Sequence, residues 1–241
     1  MKKLFIILCA LALCSSSFAG TKDIIKVIAR KNVSAGYTAL DLTTFDESND
    51  EGSDIAVQSA TQVTWTNFYP RTETGYVFKD MGSAIFTGDF TIRYTFNITA
   101  HAITAWVFMG GVFDKNSGDN DDLQTASANG AFFRFYTSDG VNWTGRIERM
   151  TAGVKDGDTS SALALSTTYY ITMNRATAQY TAYICTGAHY GEGGSSTVDT
   201  VTVAGPTTAL RYVYALAGDD DSGAAQISTG QLDNLEYKLS L

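Results

Sequence analysis

The sequence is poor in residues that cross-link or interrupt a chain. It has three cysteines, two prolines and two histidines among 241 residues. Cys9 and Cys14 lie in an apolar N-terminal stretch and Cys185 stands alone, so removal of that stretch leaves no internal disulfide. We interpret Cys185 as a buried small hydrophobic residue. Both prolines, Pro70 and Pro206, fall between predicted strands.

Several functional motifs are also missing. The chain contains no H-E-x-x-H, C-x-x-C, G-x-S-x-G or phosphate-binding glycine loop. Its formal net charge is −8 with scattered lysines and arginines, whereas nucleic-acid binding requires a basic stripe. We therefore expect no nucleic-acid partner. No second long apolar run follows the N-terminal stretch, so we expect no membrane insertion.

The first residues, MKKLFIILCALALCSSSFAG, are typical of a secretory signal peptide. Lys2 and Lys3 precede an apolar run, and the small residues Ser17 and Ala19 fit a cleavage site after Ala19. We therefore expect a secreted, extracellular protein. The predicted organisation is a signal peptide over residues 1–19, a lead-in segment over 20–35 and a single domain over 36–241.

The rest of the chain is patterned as β-strands. In DFTIRYTFNIT, apolar residues from Phe90 to Ile98 alternate with polar ones, which is the period of a strand with one buried face. GAFFRFYT and VNWTGRIERM flank Asp139-Gly140, which predicts a hairpin. No helical apolar stripe exceeds about two turns. We predict an all-β fold, an antiparallel β-sandwich of the jelly-roll kind.

The order of several segments is informative. Gly88-Asp89-Phe90 resembles an early strand, YYITMNR with QYTAYI resembles paired back strands, and LDNLEY resembles a last strand that returns beside the first. Together they resemble the concanavalin A-like lectin/glucanase superfamily, including its laminin-G-like members, over roughly residues 36–241. This resemblance implies a concanavalin A-like jelly roll. The superfamily contains lectins, glycosidases, lyases and adhesion modules, so the fold alone does not select a function.

The catalytic patterns of that superfamily are incomplete in this chain. Its glucanases carry E-x-D-x-x-E, and no glutamate after the signal peptide begins that pattern. Arg71-Thr72-Glu73 matches the R-T-E stretch of jelly-roll lyases, but His101 lacks the glutamine expected two residues earlier. We interpret His101 and His189 as loop or turn residues. We favour a non-enzymatic role and predict no catalytic residue.

The hairpin around Asp139-Gly140 carries the predicted carbohydrate site. Sugar binding requires an exposed aromatic ring beside polar side chains. Trp65 and Trp106 lie in apolar strands and are expected in the core, whereas Trp143 follows the turn and is expected to be exposed. The predicted sugar-binding residues are Trp143, Asn142, Arg134, Tyr136 and Arg146.

Three acidic loops suggest a calcium site. Residues 46–54, 114–122 and 219–221 are rich in Asp and Asn, and calcium takes about six to eight oxygen ligands. The predicted ligands are Asp119, Asp121 and Asp219. Because no loop has the D-x-[DN]-x-[DN]-G register, solvated turns are the alternative interpretation.

We therefore predict a secreted, non-catalytic, lectin-like protein that binds a glycan or polysaccharide at a cell or matrix surface. The alternative is a structural or adhesion subunit of a surface, filament or virion decoration. Such a subunit would self-associate or contact other surface proteins through Asp23–Asn32. A polysaccharide-degrading hydrolase or lyase is the third hypothesis.

Overall fold

The computed structural model describes residues 36–48, 54–72, 74–102, 105–137, 142–219 and 226–240. The predicted signal peptide, the lead-in segment and the Asp139-Gly140 turn lie outside these residues. The described part from Thr38 onward belongs to one compact unit. It contains no helix that is long and apolar enough to cross a membrane.

The described chain is built almost entirely from strands. In chain order they are β1 (Thr38–Ala39), β2 (Asp46–Ser48), β3 (Ile55–Ser59), β4 (Gln62–Phe68), β5 (Tyr76–Asp80), β6 (Phe90–His101), β7 (Val107–Phe113), β8 (Gly130–Tyr136), β9 (Trp143–Thr151), β10 (Val154–Leu163), β11 (Tyr169–Ala176), β12 (Gln179–Thr186), β13 (Ser196–Ala204), β14 (Tyr212–Ala217) and β15 (Ser228–Leu239). A 3₁₀ turn spans Leu42–Thr44, and one short helix, α1, spans Asn120–Thr125.

The strands form two sheets. Sheet A has the order β13-β12-β11-β6-β15-β4-β3, with β1 also paired to β15, and sheet B has the order β10-β9-β8-β7-β14-β5-β2. The strand pairs are antiparallel, and neighbours such as β6 and β15 are distant in sequence. This arrangement confirms the predicted all-β jelly roll. The last strand, β15, lies beside β1 as expected.

The main hydrophobic core lies between the sheets. In β6 the alternating residues from Phe90 to Ile98 are buried there, which confirms the strand prediction. Trp65 and Cys185 are also fully buried, as expected. Burial of this apolar surface is the main stabilising contribution to such a fold.

A second apolar cluster covers the outer face of sheet B. Phe108, Phe132 and Tyr214 point away from the core and pack beneath Leu123 of α1 and Ala128. This packing explains why the segment AWVFMGGVF is apolar on both of its faces. The segment that connects β7 to β8 therefore covers part of the outer face of sheet B.

A bulge in β7 depends on glycine. The register with β8 shifts between Met109 and Val112, and Gly110 within it has φ of 59°. A β-carbon at Gly110 would overlap the ring of Tyr94. Only glycine combines this left-handed conformation with such a close ring.

Candidate functional site

The outer face of sheet B also carries a cluster of charged and aromatic side chains. Alternation along β8 and β9 places Arg134, Tyr136, Arg146 and Glu148 on this face. The register pairs Arg134 with Arg146, and Phe132 with Glu148. Side chains on one face of neighbouring strands lie within contact distance.

Arg134 lies at the centre of this cluster. The residue is only 7% exposed. Its guanidinium carbon is 4.6 Å from the ring centre of Trp106, 4.6 Å from that of Tyr136 and 5.7 Å from that of Phe108. The guanidinium carbon of Arg71 lies 4.6 Å from the centre of the Trp106 ring. Trp106 therefore contacts two cations, an arrangement that ring quadrupoles favour.

The two arginines of this face share one carboxylate oxygen. Nη1 of Arg134 is 3.3 Å from Oε2 of Glu148, and Nε of Arg146 is 3.7 Å from the same atom. These are ion pairs without hydrogen bonds. Within the described residues, Nε of each arginine and Oε2 of Glu148 are buried and have no hydrogen-bond partner. Burial lowers the pKa of Arg134; Glu148 opposes this shift and Arg146 adds to it.

The phenol of Tyr136 lies beside these cations. Burial acts to raise the pKa of Tyr136. Hydrogen bonds to Thr159 and Thr144, together with the charges of Arg134 and Arg146, outweigh burial and leave the pKa below its usual value. Cations stabilise the phenolate form, so Tyr136 loses its proton more readily than an isolated tyrosine.

An acidic pair lies at the edge of the same face. Oδ1 of Asp119 accepts hydrogen bonds from the backbone N–H groups of Asp121 and Asp122 and caps α1. The amide of Asn120 donates to Asp219, which also pairs with Nζ of Lys155 at 3.3 Å. Burial raises the pKa of Asp119 to about 7, and Asp122 and Asp219 add to that shift.

These groups do not form a metal centre in the described part of the chain. No group of three or more His, Cys, Asp or Glu residues there has the geometry to hold a metal ion. One oxygen of Asp119 caps a helix, and Asp219 already has a lysine partner. Asp220 and Asp221 lie outside the described residues. Calcium binding by Asp119, Asp121 and Asp219 therefore stays a prediction.

The structure separates Trp143 from the other predicted sugar-binding residues. Its ring packs against the main core, with its centre 6.0 Å from that of Phe135 at an interplanar angle of 8°. His101 meets the ring edge-on at 5.2 Å. The expectation that Trp143 is exposed is wrong, because strand alternation turns it away from Arg146. Asn142 is exposed just before β9.

Trp106 is the main residue that sequence reasoning missed. It was expected in the core but is half-buried against the outer cluster. The signal that could have revealed it is the alternation of side chains along a strand. In an extended chain, residues 106 and 108 point to the side opposite residues 107 and 109, so Trp106 does not share the core-facing side of Val107 and Met109. Glu148 was also missed. It lies two residues after Arg146 on the same strand, and this spacing could have placed both side chains on one face.

His101 holds the backbone next to Trp106. It was expected in a loop but ends β6, where it is buried. Its Nε2 lies 2.8 Å from the carbonyl oxygen of Ala105, and its Nδ1 lies 2.9 Å from Oγ of Ser228. Burial lowers the pKa of His101 to about 4, despite the opposing effect of the Ala105 hydrogen bond. The neutral ring therefore fixes the residue that precedes Trp106.

The outer face of sheet A offers a contrasting arrangement. Arg93 donates to Glu236 and, at 2.7 Å, to Glu192. The second histidine, His189, lies in the turn before Glu192, as expected, and is buried. Tyr190 stacks on Tyr183 with ring centres 3.8 Å apart and is 49% exposed.

Comparison with known proteins identifies the fold. No family model matches the chain, and no curated protein matches it in sequence. A mutant of alginate lyase Aly36B in complex with alginate trisaccharide superposes with a TM-score of 0.53 at 12% identity, over 85% of this chain and 99% of that one. Lectin UEA-II complexed with galactose gives 0.53 at 11% identity, over 85% and 98%. The chain has the concanavalin A-like jelly-roll fold.

A third solved structure has the same architecture. The alginate lyase from Klebsiella pneumoniae superposes with a TM-score of 0.50 at 9% identity, over 79% of this chain and 86% of that one. Identities this low establish a shared fold and leave the function to be argued from the site.

Proposed function

We propose that the protein is a secreted, non-catalytic carbohydrate-binding protein, and that its sugar site is the outer face of sheet B. The observation that carries this proposal is the half-buried ring of Trp106, held between Arg71 and Arg134 beside Tyr136. A pyranose ring packs its C–H face on an aromatic ring and hydrogen-bonds to polar groups around it. The arginines at Trp106 supply the polar contacts, and the half-buried rings of Tyr76, Phe78 and Tyr212 supply faces on which a sugar can pack.

More aromatic rings continue along the same face. Tyr76, Phe78 and Tyr212 are half-buried against the outer cluster. The ring centres of Tyr76 and Phe78 lie 5.6 Å apart, and those of Phe78 and Tyr212 lie 6.4 Å apart. A row of rings suits an extended chain of sugars better than a single residue. We therefore propose a polysaccharide rather than a free monosaccharide as the ligand.

The solved structures with this fold support a sugar ligand. One of them is a lectin complexed with galactose, and another is an alginate lyase mutant in complex with alginate trisaccharide. Secretion and action at a cell or matrix surface follow from the signal peptide predicted in residues 1–19. Calcium is proposed only as an accessory ion near Asp119 and Asp219, where it would order the segment that covers the outer face.

A glycan array tests the proposal. The protein is screened with calcium and with a chelator, together with Trp106→Ala and Tyr190→Ala. The second variant removes an exposed ring from the other sheet and serves as the matched control. We expect the parent protein to bind a glycan. We expect Trp106→Ala to weaken the affinity at least tenfold and Tyr190→Ala to leave the affinity unchanged.

Three results of the array would change this account. Binding lost with the chelator would support the calcium site, and binding unaffected by it would remove calcium from the proposal. No binding to any glycan would overturn the carbohydrate function and favour the structural or adhesion subunit.

A second candidate function is polysaccharide cleavage by a lyase. The lowered pKa of Tyr136 beside Arg134 favours it, because such a phenolate can remove a proton from a bound sugar. The test is ultraviolet absorbance of the unsaturated ends that β-elimination creates. Activity that Tyr136→Phe abolishes while binding persists would establish the lyase. Absence of new absorbance on any bound polysaccharide would exclude it.

A further inference from the structure

We propose that the ligand is an acidic polysaccharide, and that a sugar carboxylate binds between Arg134 and Arg146. This inference rests on the proposed carbohydrate function and specifies its ligand class. It depends on three properties of the site: an imbalance of charge, unused hydrogen-bond donors and the surroundings of the guanidinium.

The charge imbalance is local. Within the described residues, Arg134 and Arg146 both form an ion pair with Glu148, at 3.3 and 3.7 Å from one carboxylate oxygen, and the charge of Asp219 also acts on Arg134. The nearby Lys155 is already matched by Asp219. The three cations Arg134, Arg146 and Lys155 thus form ion pairs with only two carboxylates in the described part of the chain, although the whole chain has a formal net charge of −8. An anionic group that binds here completes the pairing.

One hydrogen-bond donor of Arg134, its Nε, has no partner within the described residues. A guanidinium has five N–H donors in a planar fork. Within the described residues, its Nε is buried without a hydrogen-bond partner, and the same holds for Nε of Arg146. A buried donor without a partner is costly. Both Nε atoms are covered by neighbouring side chains, so a ligand oxygen that displaces one of these side chains and accepts from Nε removes an existing penalty.

The surroundings of Arg134 favour a carboxylate over a hydroxyl. Three rings lie around its guanidinium carbon, those of Trp106, Tyr136 and Phe108. These rings contribute to leaving Arg134 only 7% exposed, and an aromatic ring brings no negative charge that would compensate the guanidinium. A carboxylate fills two neighbouring donors at once and brings a compensating charge. A neutral sugar hydroxyl would leave the charge uncompensated.

The experiment compares one polymer backbone in two forms. Isothermal titration measures binding of a polyuronate and of its derivative in which each carboxyl has been reduced to a hydroxymethyl group. We expect the acidic form to bind at least tenfold more tightly at low salt, and the preference to decrease as salt is raised. A sulfated polysaccharide serves as a third ligand and is expected to bind more weakly than the polyuronate.

Variants assign the preference to this site. Arg134→Gln and Arg146→Gln are expected to reduce the acid-over-neutral ratio to about twofold or less, and Arg134→Lys is expected to restore part of it. The matched control is Arg149→Gln, which removes the same charge from the opposite face of β9 and should keep the full ratio. The melting temperature of each variant establishes that it is folded. Should Arg134→Gln not fold, Arg146→Gln tests the same site, because the Arg146 side chain is more exposed.

The outcomes separate this inference from the proposed function. Equal binding of the two forms overturns the inference and leaves the carbohydrate function standing. A sulfated polymer that binds as tightly as the polyuronate also overturns it, because the site would then recognise charge rather than a carboxylate. Binding of neither form, nor of any arrayed glycan, overturns the carbohydrate function itself.

Discussion

Each sheet has a buried arginine on its outer face, and the two arginines have opposite surroundings. On sheet A, Arg93 is one cation that donates hydrogen bonds to two glutamates, Glu236 and Glu192. On sheet B, Arg134 is one of two cations that share an oxygen of Glu148 without a hydrogen bond. The side chains of Arg93 and Arg134 are exposed to similar small extents, 5% and 8%.

This difference distinguishes a structural group from a binding group. The donors of Arg93 are used within the protein, so its contribution goes to stability. The Nε donor of Arg134 has no partner within the described residues, and in our proposal the folded chain carries the cost of its desolvation until a ligand binds. Sites that bind strongly in water often carry such strain, which other parts of the fold must offset.

Replacement of Arg93 should have the largest effect on stability. Arg93→Gln leaves the partly buried carboxylate of Glu236 without its cation, so we expect a loss of about 3 kcal/mol in the free energy of unfolding. Polysaccharide affinity should be unchanged. Chemical denaturation and titration measure the two quantities. A large loss of affinity in a folded Arg93→Gln protein would contradict the separation of the two faces.

Acidification should destabilise the sheet A side through His189. Burial lowers the pKa of His189 from 6.5 to about 4, and the charge of Arg93 adds to the shift. Since the unfolded state binds more protons between these values, this contribution is complete above about pH 6.5 and is lost as the pH falls toward 4. His189→Gln should therefore reduce the acid-induced loss by about 3 kcal/mol. An unchanged pH profile of stability would contradict this assignment.

Replacement of Glu148 should affect both stability and binding. Glu148→Gln leaves Arg134 and Arg146 facing each other, so we expect a loss of about 1–2 kcal/mol in the absence of ligand. An acidic polysaccharide should raise the melting temperature of this variant more than that of the parent protein, because the ligand replaces the missing carboxylate. A smaller rise would mean that Glu148 itself contacts the sugar.

Removal of Tyr190 should have the smallest effect. Tyr190→Ala loses one ring stacked on Tyr183, and because that ring is half exposed we expect about 0.5 kcal/mol and no change in affinity. Thermal unfolding and the glycan titration measure both. A tenfold loss of affinity would place sugar contacts on sheet A and remove the contrast between the faces.

The sequence predicted the strands well because their pattern is local. The alternation from Phe90 to Ile98 is visible without any tertiary information, and β6 follows it. Arg134, Tyr136 and Arg146 could be grouped because they lie on a predicted hairpin, and their even spacing places them on one face. Trp143 is an odd number of residues from Arg146, so alternation along the strand excludes it from that face. A ring near a turn can therefore be assigned a role only after its position in the strand is known.

The remaining parts of the site depend on contacts between distant segments. Trp106 lies in a run that is apolar on both faces, so its environment depends on where the segment carrying α1 packs. The contact of Arg71 with Trp106 joins residues from separate segments. The burial of Arg134 likewise results from rings on β7 and β8 together. No local pattern contains this information.

Hydrogen exchange with and without ligand tests the central claim most directly. The exchange of backbone amides is compared by mass spectrometry in the free protein and in the protein saturated with an acidic polysaccharide. We predict slower exchange in the peptides that contain Trp106, Arg134 and Arg146, and unchanged exchange around Arg93 and Tyr190. Protection on the sheet A side, with none at Trp106 and Arg134, would contradict the account.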